Sequence, residues 1–226
     1  MTITVRGEHT TRLQPERVTV HGTVHHEGSS REPALEAALA TAAAVRELVE
    51  PGFDEQAGPI TRWAAESTRM WSSRPWSQDG AQLPFMHYAE FGVTVEFSDF
   101  AAASRWVEDA ARIEGLTINR LSWELTDATR EKVTAETRMR AVESALQKAG
   151  DYAAAIGLGL GAPVPVALAD PGMLGDHPGD GGGGPVPMMA RAAAFDASGG
   201  SPELALRPDE IAVSCAVDAR FVVGPA

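Results

Sequence analysis

Between Asp127 and Val166 one long helical pattern runs into a ladder of glycines, Gly157-Leu158-Gly159-Leu160-Gly161, and then into the extended segment Ala162-Pro163-Val164-Pro165-Val166. Met139, Val142, Leu146, Ala149, Ala153 and Ile156 recur every three or four residues, a spacing that predicts one inward-packing helix face. The order limits the chemistry. Glycines that follow a helix are stop signals, whereas a phosphate-binding loop carries them ahead of one. The expected nucleotide motif is therefore absent.

The rest of the chain alternates between the two periodicities. Met1 to Gly7 alternates like a strand, and Val18 to Val24 does so more clearly. Pro33 to Val49 predicts a helix with Leu35, Leu39, Ala42, Val45 and Val49 on one face, ended by Pro51-Gly52. Ile60 to Trp76 reads as one long exposed strand before a Gln78-Asp79-Gly80 turn. Phe91, Val93, Val95 and Phe97 then mark a half-buried strand. Ser98 or Asp99 is placed to cap a helix with Phe100, Ala103, Val107, Ala110 and Ala111 facing inward, and Leu121, Trp123 and Leu125 share a strand face beyond Gly115. Asp127 is the expected cap of the long helix. Val164 to Leu168 reads as a short strand. Ile211, Val213, Cys215, Val217, Ala219, Phe221 and Val223 occupy every second position of a last, long one.

The order β-α-β-β-α-β, then α-β-β, predicts an α+β fold, a mostly antiparallel sheet with helices packed on one face. A single domain over 1–226 is expected. Its central hairpin, 58–97, is long enough to project as a lobe, and the Gly/Pro-rich stretch 170–200 is expected to be a flexible loop.

Composition narrows the function classes. A formal net charge of −12 argues against a nucleic-acid surface, which needs clustered Lys and Arg, and against anionic membranes. No apolar run has the length that spans a bilayer. The opening residues lack the basic-then-apolar layout of a signal peptide, and the single Cys215 excludes an internal disulfide. With an Ala/Gly/Asp-rich style, these features favour a bacterial-type cytoplasm.

Two constellations stand out. Trp63, Arg69, Trp71, Trp76, Phe85 and Tyr88 concentrate on the hairpin, with Trp63, Arg69 and Trp71 on one face if the strand is regular. Aromatics with arginine suit a protein interface; a ligand pocket or plain covering of the sheet would use the same residues. His21 and His25 share a strand face, and with His87 they would approach a three-histidine metal site. Their spacing matches no known metal motif, and solvent-facing imidazoles that coordinate nothing are the plainer account. Asp176, His177 and Asp180 would hold a cation only weakly. Cys215 falls in an apolar alternation, where a thiol is inert. Gly-x-Ser-x-Gly is missing.

Four stretches taken in order resemble the SIMPL family, long labelled a domain of unknown function. They are Thr4-Val5-Arg6-Gly7-Glu8 with Pro15-Glu16-Arg17-Val18-Thr19-Val20; the block from Tyr88 to Leu125; the helix end Ala141 to Ala149 running on to Ala155 through Gly161; and the closing Leu206-Arg207-Pro208-Asp209-Glu210-Ile211. The resemblance implies an α+β fold, a tendency to form homo-oligomers, no established catalytic activity, no cofactor, and no catalytic residue set to carry over. Periplasmic relatives assemble into ring- or channel-like particles, and an animal relative is named for association with a signalling kinase. This chain departs from the periplasmic members by lacking an export signal, and Pro208-Asp209 replaces a commoner glycine-containing version. The leading expectation is a non-enzymatic, self-associating scaffold or binding module. The alternative is a small-ligand or metal-binding protein using the His21/His25/His87 face and the tryptophan-rich hairpin.

Overall fold

Two antiparallel sheets organise the chain. The computed structural model describes residues 1–76, 82–157, 163–174 and 208–223. The expected turn at Gln78-Asp79-Gly80, the glycine ladder beyond Gly157, and the loop 170–200 beyond residue 174, with Asp176, His177 and Asp180, lie outside the described residues. In chain order the elements are β1 (Thr2–Leu13), β2 (Arg17–Gly28), α1 (Arg31–Val49), β3 (Ile60–Ala65), β4 (Arg69–Ser73), β5 (Met86–Phe97), α2 (Phe100–Ala110), β6 (Leu116–Glu124), α3 (Asp127–Ala155), β7 (Val164–Ala169) and β8 (Ile211–Val222). The fold is α+β, as the alternation of periodicities predicts.

The described residues gather into two compact units. One takes those of 15–124 and 190–209, the other those of 1–14, 125–189 and 210–226. In the first, the sheet order is β3-β5-β2-β6, with β4 also paired to β5. This is the split βαβ arrangement expected from the β-α-β-β-α-β order. Val18, Val20 and Val24 of β2 and Phe91, Val93, Val95 and Phe97 of β5 are buried on one face. The α1 residues Ala34, Ala38, Val45 and Val49 and the α2 residues Ala103, Trp106 and Val107 complete that core. Asp99 caps α2, its carboxylate accepting from the amides of Ala101 and Ala102.

The first arm of the hairpin is two strands, not one. β3 pairs with the Val93–Phe97 half of β5, and β4 pairs with its Met86–Glu90 half. The break at Glu66-Ser67-Thr68 is bridged where the Glu66 amide donates to the Gly92 carbonyl at 2.8 Å. β5 pairs with β2 along its opposite edge, from His87 to Phe97.

In the second unit, the closing strands do not extend that sheet but form another, ordered β1-β8-β7, with the N-terminal strand at its edge. α3 covers one face of it. Thr126, rather than Asp127, is the cap, its hydroxyl accepting from the Thr129 amide. The inward face of α3 includes the expected Ala149 and Ala153 but otherwise differs from the predicted one. Val133, Thr137, Ala141, Ala145, Ala149 and Ala153 are buried, while Met139, Leu146 and Ile156 stand 60, 44 and 52% exposed. The cause is close approach. Gly7 of β1 lies under Ala141 and Ala145, and only small side chains fit between helix and strand there. Leu39 of α1 is likewise exposed, and the smaller Ala38 and Thr41 face inward. No described helix is long and apolar enough to cross a membrane.

Candidate interaction face

Because α1 and α2 occupy one face of the five-stranded sheet, strand register decides which side chains the other face presents. Opposed residues in an antiparallel pair share a face. His25 of β2 lies opposite Glu90 of β5, and Glu90 lies opposite Arg69 of β4. One rung away, Tyr88 lies opposite Trp71. All belong to the face away from the buried Phe91 and Val93.

These side chains form a cluster. The Trp71 and Tyr88 rings stack with centroids 5.2 Å apart and planes 17° apart. His25 leans against both, at 6.0 and 5.7 Å. The Arg69 guanidinium lies 5.1 Å from the Trp71 ring centroid, and His25 Nδ1 is 3.3 Å from a Glu90 carboxylate oxygen. An aromatic pair of this geometry contributes about 0.5–1.5 kcal/mol beyond its buried area, and an exposed cation–π contact about 0.5–1 kcal/mol. The cluster is therefore held in place by contacts within the chain itself.

Towards the end of the hairpin the surface becomes more apolar. The Arg74 guanidinium sits 4.4 Å over the Phe85 ring. Phe85 is 49% exposed, Leu83 36% and Trp76 82%. Of the six predicted interface residues, the structure thus brings Arg69, Trp71 and Tyr88 together and leaves Trp76 and Phe85 open to solvent.

Trp63 does not join them. It lies opposite Val95 and packs on the helix-covered core. The break between β3 and β4 shifts the pairing with β5 by one residue, so equal parity at 63 and 71 no longer means a common face.

The three histidines do not converge. His21 and His25 share the outer face, but His87 lies opposite Gly28, which is of the other parity. His87 Nδ1 is instead 2.7 Å from Ser72 Oγ on the helix side. His21 Nε2 meets Ser122 Oγ at 3.1 Å. Burial, and then the Arg120 guanidinium, push its pKa below the ordinary imidazole value; Glu124 and Glu66 act in the opposite sense. Among the described residues no group of three His, Cys, Asp or Glu side chains is placed to hold a metal ion. The three-histidine site is corrected by register.

Several polar features were missed in sequence. His26 Nε2 is 2.8 Å from Thr41 Oγ1, which donates to the Glu114 carbonyl at 3.1 Å. Asp218, buried within β8, meets Arg6 at 2.7 Å and accepts from the Gly172 amide at 2.7 Å. Its one hint was a carboxylate set inside an apolar alternation. Cys215 Sγ contacts the Thr134 carbonyl at 3.8 Å, a structural contact between β8 and α3. A cleft of ≈ 170 Å³ lies among Leu48, Pro59, Ile60, Phe97 and Trp106, smaller than the usual ligand pocket of about 300–1,000 Å³.

No curated protein matches the chain. The model of the SIMPL family, described as a protein of unknown function (DUF541), matches residues 3–221, nearly the whole length, and the chain belongs to that family.

Proposed function

We propose that this chain is a non-enzymatic binding module that self-associates, using its aromatic hairpin surface and its open sheet edges. One observation carries the reading. Trp76, Leu83 and Phe85 expose apolar surface next to the ordered Trp71–Tyr88 stack. Large aromatics with arginine are the residue types enriched at interfaces and at their energetic centres. A preformed cluster loses little side-chain freedom on binding, which favours association.

The test is light scattering across a range of concentrations, on the parent and on a Trp76→Ala/Phe85→Ala variant. The parent should show a discrete multiple of the 23.9 kDa chain mass. The variant should shift towards the single chain with its circular dichroism unchanged. A parent that stays monomeric throughout would overturn the reading.

A further inference from the structure

β1 is a long strand at the rim of the three-stranded sheet, paired on one side only among the described residues. Its backbone directions follow from one pair. The Met1 terminal nitrogen donates to the Val223 carbonyl at 2.7 Å, and the Val223 amide donates back to Met1 at 2.8 Å. The register then runs without a shift from Thr2 opposite Val222 to Leu13 opposite Ile211. Odd-numbered residues of β1 therefore bond to β8, and even-numbered ones direct their N–H and C=O groups to the open edge. Lys148 shows this directly, since its Nζ donates to the outward Arg6 carbonyl at 2.8 Å.

The geometry points to a second copy of this chain as the occupant of that edge, antiparallel, with the two-fold axis at Gly7. This rests on the self-association reading and names its geometry. Two copies of one edge meet only in registers that pair even residues with even. A centre at Arg6 would set Arg6 against Arg6, and a centre at Glu8 would set Glu8 against Glu8; like charges directly opposed are unfavourable. A centre at Gly7 sets Arg6 against the partner's Glu8 twice by symmetry. It also sets Thr4 against Thr10, and it uses the strand from Thr2 to Arg12. Arg6 then lies between Asp218 of its own β8 and the carboxylate of the second copy. Matching parity keeps both α3 helices on one face of a continuous six-stranded sheet.

The experiment places single nitroxide labels at Thr4, Thr10 and Arg12, all exposed, in a Cys215→Ser background, and reads inter-chain distances by pulsed electron spin resonance. At about 3.4 Å per residue, Thr4 and Thr10 should give the same backbone separation, about 20 Å, and Arg12 about 34 Å. Glu8→Pro removes an outward amide without touching the β8 ladder, and it should abolish the dimer signal while leaving the circular dichroism intact. Unequal distances at Thr4 and Thr10 in an assembled protein would overturn the Gly7-centred pairing and leave self-association standing. A single-chain mass by light scattering would overturn both.

Discussion

Gly7 of β1 lies so tightly under Ala145 of α3 that a Cβ on the glycine would stand 2.7 Å from the alanine Cβ, and it would also collide with the Ala141 carbonyl oxygen. Those neighbours are helix backbone and a methyl group on it, and neither can swing aside. Gly7→Ala should therefore lower stability by about 1–3 kcal/mol or more, the usual cost of overpacking. Gly150, also in α3, has nothing within 4 Å of its Cβ position. Gly150→Ala should raise stability by about 1 kcal/mol through helix propensity alone. Urea unfolding followed by far-ultraviolet circular dichroism measures both, and equal effects at the two glycines would contradict the close-packing account.

The same contact explains which part of the fold was legible in sequence. The strands were, because Phe91 to Phe97 and Ile211 to Val223 alternate strictly and one face of each is buried. The α3 face was legible only in part, at Ala149 and Ala153, which are buried as their spacing predicts. Hydrophobicity at three- and four-residue spacing pointed to Met139, Leu146 and Ile156, but the strand approaches too closely for them, and Ala141 and Ala145 take the contact. Spacing alone does not tell a small-residue seam from a polar face. The hairpin failed for a different reason. Trp63 and Trp71 share parity, yet the break at Glu66-Ser67-Thr68 changes register between them, and nothing local in those residues announces a lost rung. Asp218 and Thr41 were missed because their partners, Arg6 and Glu114, are distant in sequence.

Thr41 ties α1 both to the turn before β6, through the Glu114 carbonyl, and to His26 of β2. Because the hydroxyl donates its proton to the Glu114 carbonyl, it accepts from His26 Nε2, which fixes the protonated ring nitrogen. Gly115, at φ +82, lies against the same imidazole, where a Cβ would collide. Thr41→Val keeps the shape but strands both partners, and it should cost about 1–3 kcal/mol. Thr41→Ser, which keeps the hydroxyl, should recover most of that loss. All five tryptophans fall within 15–124, so their fluorescence during urea unfolding reports this unit selectively. A Val variant as stable as the parent would show that the chain of bonds contributes nothing.

His21 should make the same unit sensitive to mild acid. Its folded pKa is lowered, chiefly by burial and next by Arg120. The unfolded chain, with the ordinary value of 6.5, takes up a proton more readily. Stability from this group is therefore fully present above about pH 6.5, falls as the pH drops towards the folded value, and levels off below it. Tryptophan-detected unfolding midpoints should decline from pH 7.5 to 5.5 in the parent, and less steeply in His21→Gln. Parallel pH profiles for the two proteins would remove His21 as the cause.

Trp63 and Trp76 should separate folding from association. Trp63 packs on the core beside Val95, whereas Trp76 is 82% exposed and contributes little to the folded chain by itself. Trp63→Ala opens a cavity under β3 and should lower stability by about 3 kcal/mol, towards the small end of aromatic truncations because the ring is only partly buried. Trp76→Ala should leave the unfolding midpoint within about 0.5 kcal/mol of the parent, as surface substitutions do, while weakening assembly. Paired light scattering and urea unfolding on both variants give four readings. If Trp63→Ala weakened assembly with no loss of stability, the hairpin would be presenting its other face, and the register assigned to β3 would be wrong.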